Sequence, residues 1–235
     1  MGKVAVSASG GLDSTVLAAQ MVKEHGAENV HMLFGDISEV ASFKSWRYVK
    51  HHARRFGCHA DLIKISIPSS VRSAFYRFSK DESLKERRRR ERLFKQDKRG
   101  SDLSRMDTKE LVKHYIPGMC TAIWTGLVAH ATMLGCDTFV TGLMDRDGRT
   151  DTVSGAGMDS STEFFEHLHY ARLYIWGSNS PDLVMPFRDL SKSDVTALGV
   201  QLGVEIAQTT SCDLHPPCGV CHECLMRKKA IDDLS

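Results

Sequence analysis

The sequence predicts an α/β protein built on a doubly wound parallel sheet, with a small zinc-binding appendage at the C-terminus. Short apolar runs alternate with helical patterns, which is typical of βαβ units. A glycine-rich loop follows the first run, and four cysteines lie close together near the C-terminus. With 235 residues, 42% of them hydrophobic, the chain is long enough to bury one full core. We expect a main domain over residues 1–205 and a cysteine-containing region over residues 206–235.

The predicted elements follow one another in βαβαβ order. Val4–Val6 reads as a buried strand, and a helical pattern runs from Ser14 to a stop at Gly26. The stretches "NVHMLFGD" and "HADLIKISI" predict two strands with a helix between them, and "DTFVTGL" predicts a fourth. Later helices are predicted in "FFEHLHYARLY" and "LSKSDVTALGVQLGV", where Ser191 and Asp194 have the spacing of a capping box.

Charge is distributed unevenly along the chain. The formal net charge is only +2, so attraction to nucleic acid requires local clustering of basic residues. Residues 76–100 hold eleven of the 31 basic residues against five acids, and this stretch reads as an insertion. It is either a surface for nucleic acid or an acidic protein, or a solvated helix or mobile insert.

The sequence predicts a cytoplasmic protein without contact to a membrane. No apolar run approaches 18 residues, the length that a membrane-spanning helix needs. The first residues enter a strand directly, without the apolar core of a signal peptide.

The stretch "KVAVSASGGLDST" predicts a phosphate-binding loop between a strand and a helix. A helix N-terminus offers unpaired N–H groups, and glycines let the backbone close around an anion. The loop lacks the lysine of the general G-x-x-x-x-G-K-[ST] phosphate loop, so it is of a different kind. Asp13 is a candidate for holding Mg²⁺ or for orienting the loop. The candidate ATP-binding residues are Ser9, Gly10, Gly11, Leu12, Asp13, Ser14 and Thr15.

The C-terminal cysteines predict a structural zinc site. They follow the spacing C-x5-C-x2-C-x2-C, and prolines and a glycine supply turns between them. Four thiolates suit tetrahedral Zn²⁺ and leave no open coordination position. Two disulfides or an iron–sulfur cluster are the alternatives. The predicted ligands are Cys212, Cys218, Cys221 and Cys224.

The loop "SGGLDST" resembles the signature of the ATP pyrophosphatase superfamily, whose members cleave ATP between the α and β phosphates. Three further stretches narrow the resemblance: "YIPG", "PFRDLSKSDV", and "SC…CGVCHEC" followed by Arg227. Together they are similar to 7-cyano-7-deazaguanine synthases, the QueC family, in order from Lys3 to about Ala230. The resemblance implies an adenine nucleotide alpha hydrolase-like fold and a homo-oligomer, specifically a dimer.

The resemblance also implies a reaction. An ATP-dependent carbon–nitrogen ligase would adenylate 7-carboxy-7-deazaguanine, release pyrophosphate, and let ammonia form the amide. A second activation would give the nitrile. ATP, Mg²⁺ and Zn²⁺ are the implied cofactors. Asp13 and Lys192 match the positions expected to act on phosphate and metal.

Substrate-binding positions also carry over from the family, with departures. This chain has "FGDIS", "PGMC" and "SGAGMDSSTEF" where the family usually has arginine and histidine among these residues. We expect the change to alter how the carboxylate or the amine is held, because serine does not replace arginine's two-pronged donor. The expected substrate-binding residues are Asp36, Gly118, Asp147, Asp159 and Glu163.

Three other functions stay open on the sequence. The first is a QueC-like anti-phage defence enzyme that joins the activated deazaguanine to a larger amine, such as a protein amine. The second is a nucleic-acid modifier, for instance a tRNA thiolase, which would need a catalytic cysteine pair near the loop. The third is a nucleotide-binding module without catalysis.

Overall fold

The computed structural model describes residues 2–37, 40–66, 118–144, 161–211, 219 and 222–234. The basic stretch of residues 76–100 lies outside the described residues. So do five predicted site residues, which are Asp147, Asp159, Cys212, Cys218 and Cys221.

A five-stranded parallel sheet forms the centre of the protein. Its strand order is β3-β2-β1-β4-β5, with every neighbouring pair parallel. Parallel neighbours require crossovers, and helices supply these here. The strands are β1 Val4–Ser7, β2 Val30–Asp36, β3 His59–Lys64, β4 Thr138–Val140 and β5 Asp182–Val184.

Helices cover both faces of this sheet, as the sequence predicts. Successive strand residues point to opposite faces, so Val4 and Val6 pack with one helical layer and Ala5 with the other. The first layer contains α1, α2 and α5, and the second contains α3 and α4. The helices are α1 Leu12–His25, α2 Val40–Phe56, α3 Met119–Met133, α4 Thr162–Trp176, α5 Lys192–Gln201 and α6 His222–Asp232.

The connections place a crevice at one edge of the sheet. From β1 the chain moves outward through β2 to β3, then returns to the other side of β1 to form β4. The neighbouring strands β1 and β4 therefore send their following loops in opposite directions. Ligands bind at such a switch point, beyond the carboxyl ends of the strands.

Three details differ from the sequence prediction. Helix α1 begins at Leu12 and not at Ser14, because Gly11 serves as its N-cap and brings Asp13 into the first turn. Strand β5 was not predicted, since its three residues are too few to show a period. Helix α6 was not predicted either, because the cysteine pattern dominates that part of the sequence. The capping box of Ser191 and Asp194 is confirmed at the start of α5.

Within the part of the chain that the structure describes, no helix is long and apolar enough to cross a membrane.

Candidate active site

The predicted phosphate loop connects β1 to α1 at the carboxyl edge of the sheet. Gly10 has φ +73°, a conformation that side chains other than glycine rarely adopt. A Cβ atom on Gly10 would lie 2.6 Å from the carbonyl oxygen of Ser45, which belongs to α2. Both the backbone conformation and the approach of α2 therefore require glycine here.

Hydroxyl groups hold the loop in one shape. The Ser14 Oγ accepts from the Ser9 amide at 3.1 Å and lies 3.0 Å from the Ser9 Oγ. The Gly11 amide donates to the Ser9 Oγ at 3.2 Å, and the Thr15 hydroxyl donates to the Gly11 carbonyl at 2.7 Å. The structure thus brings four of the predicted ATP-binding residues into one hydrogen-bond network.

The first turn of α1 is built to receive an anion. Gly11 at the N-cap offers no side-chain acceptor to the amides of this turn. The first amides of a helix have no intrahelical partner, and the helix dipole adds positive potential there. A phosphate group at this place would accept hydrogen bonds from these amides.

Asp13 and Lys192 meet directly at the mouth of the loop. The Lys192 Nζ lies 2.5 Å from each carboxylate oxygen of Asp13, across 179 residues of sequence. The two side chains are 17% and 26% exposed for lysine and aspartate, so solvent still reaches the pair. Lys192 is the first residue of α5, behind the Ser191 cap. The amino ends of α1 and α5 therefore converge on this ion pair.

The loop after β4 forms the opposite wall of this crevice. A Cβ atom on Gly142 would lie 3.2 Å from the Cβ of Asp13 and 3.3 Å from its carbonyl carbon. This close approach puts Asp13 between β1 and β4, at the switch point of the sheet.

Arg227 of α6 also belongs to this region. The sequence marks it as following the C-terminal cysteine motif but does not predict the contacts that it makes. Its Nη1 donates to the Thr209 hydroxyl at 2.6 Å, and its Nη2 donates to the Ile206 carbonyl. Burial lowers the pKa of its guanidinium, while Cys224 and Asp13 oppose that shift through charge attraction. A second cation therefore lies within electrostatic reach of Asp13.

The remaining predicted substrate residues that are described lie at the same edge. Asp36 ends β2, Gly118 is the N-cap of α3 with φ +73°, and Glu163 is in the first turn of α4. Behind Asp36 the packing is tight, since a Cβ atom on Gly35 would lie 2.9 Å from the Ile123 side chain. Two carboxylates and the N-terminus of α3 therefore lie at the carboxyl edge of the sheet.

Two described cysteines are placed away from the loop. Cys58 precedes β3 and Cys136 precedes β4, so both lie at the amino edge of the sheet. Burial raises the pKa of each thiol to about 11, which leaves both protonated at neutral pH. Neither thiol has the position or the ionisation of a catalytic cysteine beside the phosphate loop.

A parallel sheet with a lysine-free glycine loop at its switch point is the arrangement expected of the ATP pyrophosphatase superfamily. The family model described as "Queuosine biosynthesis protein QueC" matches residues 3–235. The chain therefore belongs to the QueC family.

Curated relatives agree with this family. A 7-cyano-7-deazaguanine synthase from Koribacter versatilis is 26% identical over 98% of this chain and 89% of its own length. One from Saccharolobus solfataricus is 26% identical over 97% of this chain, which spans 45% of that protein. Among solved structures, a predicted tRNA methyltransferase subunit from Methanocaldococcus jannaschii DSM aligns with a TM-score of 0.40 and 12% identity. This alignment covers 88% of this chain and 92% of the other.

Proposed function

We propose that this chain is a 7-cyano-7-deazaguanine synthase that works as an AMP-forming carbon–nitrogen ligase. The observation that carries the proposal is the Asp13–Lys192 pair at the open end of α1, in a chain that matches the QueC family over residues 3–235. In this reaction ATP would activate the carboxylate of 7-carboxy-7-deazaguanine, and ammonia would displace AMP to form the amide. A second ATP would activate that amide for loss of its oxygen, which gives the nitrile.

The residues of the loop fit ATP with Mg²⁺. Phosphate is an anion, and the free amides of α1, the α5 N-terminus and Lys192 all supply positive potential. Mg²⁺ prefers carboxylate oxygens, and Asp13 is the carboxylate in the first turn of α1, in contact with Lys192. Bound Mg²⁺ would neutralise the charge of the leaving pyrophosphate.

The ion pair would be exchanged for ligand contacts when Mg-ATP binds. Lys192 would move from Asp13 to a phosphate oxygen, and the metal ion would take the position beside Asp13 that Lys192 had held. Lys192 would then face a negative phosphate in place of Asp13, and Asp13 would face a positive metal ion in place of Lys192. Neither half-buried charge would be left unpaired. Lys192 would stabilise the charge that develops on pyrophosphate, and Asp13 would orient the metal.

We propose that Zn²⁺ binds the four C-terminal cysteines and holds structure. The support is their spacing and the chemistry of thiolate ligands. Cys224, the described member, lies half-buried in the first turn of α6, three residues before Arg227. Such thiolates persist in a reducing compartment, which agrees with a cytoplasmic enzyme.

The acceptor is ammonia in this proposal, and a larger amine is the alternative. The departures "FGDIS" and "SGAGMDSSTEF" remove basic side chains from segments expected to line the pocket, and Asp36 now ends β2. A carboxylate at this position favours a cationic or donor-rich group. A nucleic-acid thiolase would need a pair of cysteines beside the loop. Among the described cysteines, Cys58 and Cys136 lie at the other edge of the sheet, and Cys120, in the first turn of α3, lies at the carboxyl edge without either of them.

The test is turnover with 7-carboxy-7-deazaguanine, ATP and Mg²⁺, with and without ammonium. We expect AMP and pyrophosphate release together with amide or nitrile that appears only with ammonium. An adenylate that accumulates and ignores ammonium would point to the larger amine. Absence of substrate-dependent AMP would overturn the deazaguanine assignment.

Variants of the ion pair test the roles of its members. Asp13→Asn and Lys192→Gln should each lower the rate of pyrophosphate release at least about a hundredfold, a typical loss for a group that stabilises charge in the transition state. Lys228→Gln is the matched control, because Lys228 is an exposed lysine paired with Asp232 on α6. An Asp13→Asn enzyme with unchanged turnover would show that Asp13 does not hold the metal.

A further inference from the structure

A segment far along the chain forms a second wall of the phosphate loop. The Thr210 amide donates to the Gly10 carbonyl at 3.0 Å, and Thr210 forms a parallel β-bridge with Gly11. A Cβ atom on Gly11 would lie 3.3 Å from the Thr210 carbonyl oxygen, so the two backbones are in close contact. The carbonyl of Gly10, which sets the turn of the loop, is thus fixed by a residue outside the loop.

Arg227 holds this segment from the side of α6. It donates to the Thr209 hydroxyl and to the Ile206 carbonyl, and the Thr209 hydroxyl itself donates to that carbonyl at 2.7 Å. Thr209 is 6% exposed, so these bonds are shielded from water. The guanidinium, the hydroxyl and the carbonyl close a ring of three hydrogen bonds directly before Thr210.

Helix α2 also holds this segment. The Nε2 of His52, which is fully buried, lies 3.0 Å from the Gln208 carbonyl. Glu205 accepts from Arg55 at 2.6 Å, and the Nε2 of His51 lies 2.8 Å from its other oxygen. The segment from residue 205 to residue 210 is therefore held by both α2 and α6, and Arg227 bonds Thr209, the residue directly before Thr210.

We propose that Arg227 is a positioning residue for ATP binding, acting through Thr209 and Thr210 on the Gly10 turn. The proposal rests on the proposed function, since it assigns the loop to ATP. A planar guanidinium makes two directed bonds at once, and these fix an orientation that a point charge does not. If the two bonds are lost, Thr210 is no longer aligned with Gly10, and the loop amides lose their common direction toward a phosphate.

The kinetic consequence is specific. A loop that is less ordered binds ATP and the transition state equally less well, so KM for ATP rises while kcat changes little. We expect an increase in KM of about tenfold or more, the factor that corresponds to loss of one hydrogen bond to a charged group. Arg227→Gln and Thr209→Val should show the same increase, because each removes the same link. The double variant should be no worse than either single variant, because both act on one interaction.

Two further substitutions and a control variant separate the effect of hydrogen-bond geometry from the effects of charge and of stability. Arg227→Lys keeps the charge but not the paired bonds, so it should behave as Arg227→Gln does. Thr209→Ser keeps the hydroxyl and should behave as the natural protein. Thr132→Val is the matched control, since its hydroxyl bonds a helix carbonyl in α3 at 2.9 Å, on the other face of the sheet. Normal KM in Arg227→Lys would overturn the proposal.

Two measurements, hydrogen exchange and ATP binding, test the role of Arg227 without relying on turnover of a deazaguanine substrate. In the full chain without substrate, the peptide covering residues 9–15 should take up deuterium faster in Arg227→Gln and Thr209→Val than in Thr132→Val. The dissociation constant for ATP should follow the same order even if no deazaguanine product forms. Because Arg227 neighbours Cys224, metal content is measured in each variant, and Thr209→Val tests the link without altering α6. Unchanged exchange over residues 9–15 in Thr209→Val would refute the positioning role.

Discussion

A methyl group added at Gly10 should destabilise the folded protein for two separable reasons. The residue has φ +73°, and a left-handed conformation costs an alanine about 1–2 kcal/mol more than a glycine. The new Cβ would also lie 2.6 Å from the Ser45 carbonyl oxygen, and relieving such a contact in a packed region costs about 1–3 kcal/mol. The sum is about 2–5 kcal/mol. For a chain of this size each kcal/mol lowers Tm by about 2–4 °C.

Gly135→Ala isolates the conformational part of this cost. Gly135 has φ +68°, and a Cβ atom there would meet no atom within 4 Å. Urea unfolding of both variants, followed by far-UV circular dichroism, gives the free energy of unfolding for each. We expect Gly135→Ala to lose about 1–2 kcal/mol and Gly10→Ala to lose about 1–3 kcal/mol more. Equal losses would show that α2 does not press against the phosphate loop, and the reasoning about its packing would be refuted.

Three further predictions concern the core, the pH response and the thiols. Gly199→Ala should lower the free energy of unfolding by about 1–3 kcal/mol, measured in urea, because its Cβ would lie 2.7 Å from Val16 where α5 packs on α1. Burial lowers the pKa of His52 below its unfolded value, so the unfolded chain binds more protons and stability should fall as pH drops below about 6.5. His52→Gln should remove part of that fall in unfolding curves recorded between pH 5 and pH 8 (about the range over which histidine titrates); an identical fall would assign it to other groups. Burial raises the pKa of Cys58 and of Cys136 to about 11, so both should resist iodoacetamide in the folded protein at about pH 8, close to the pKa of a free thiol. Both should react in urea, as peptide mass spectrometry would show.

The order of the main elements could be predicted because their signals are local. Short apolar runs predicted four of the strands, and period-3.6 patterns predicted α1, α2, α4 and α5. Ser191 with Asp194 marked the start of α5. Strand β5 was not predicted because Asp182–Val184 is stabilised by its pairing with β4, and its three residues show no strand pattern of their own. Such a strand exists only in its tertiary context.

The candidate site also has a part that the sequence predicts locally and a part that depends on distant contacts. The loop residues and Asp13 could be predicted because glycine, hydroxyl and acid stand within a few positions of one another. The contact between Asp13 and Lys192 could not be derived from their spacing, since 179 residues separate them and the resemblance to a family supplied the match. Arg227 and Thr210 are harder still, because a backbone amide and an arginine on a late helix carry no local sign of the loop they support.

The wall that Thr210 gives to the phosphate loop has a consequence for how the protein is made. A contact between Gly10 and Thr210 closes only after some two hundred intervening residues have been synthesised. Contacts of such high sequence separation form late, because the entropy of closing the intervening chain must be overcome first. During synthesis the strands β1 and β2 can pair early, but the loop beside them stays without its second wall until the C-terminal part has left the ribosome. The ATP binding proposed for this loop should therefore develop late in folding, after strands β1 and β2 have paired.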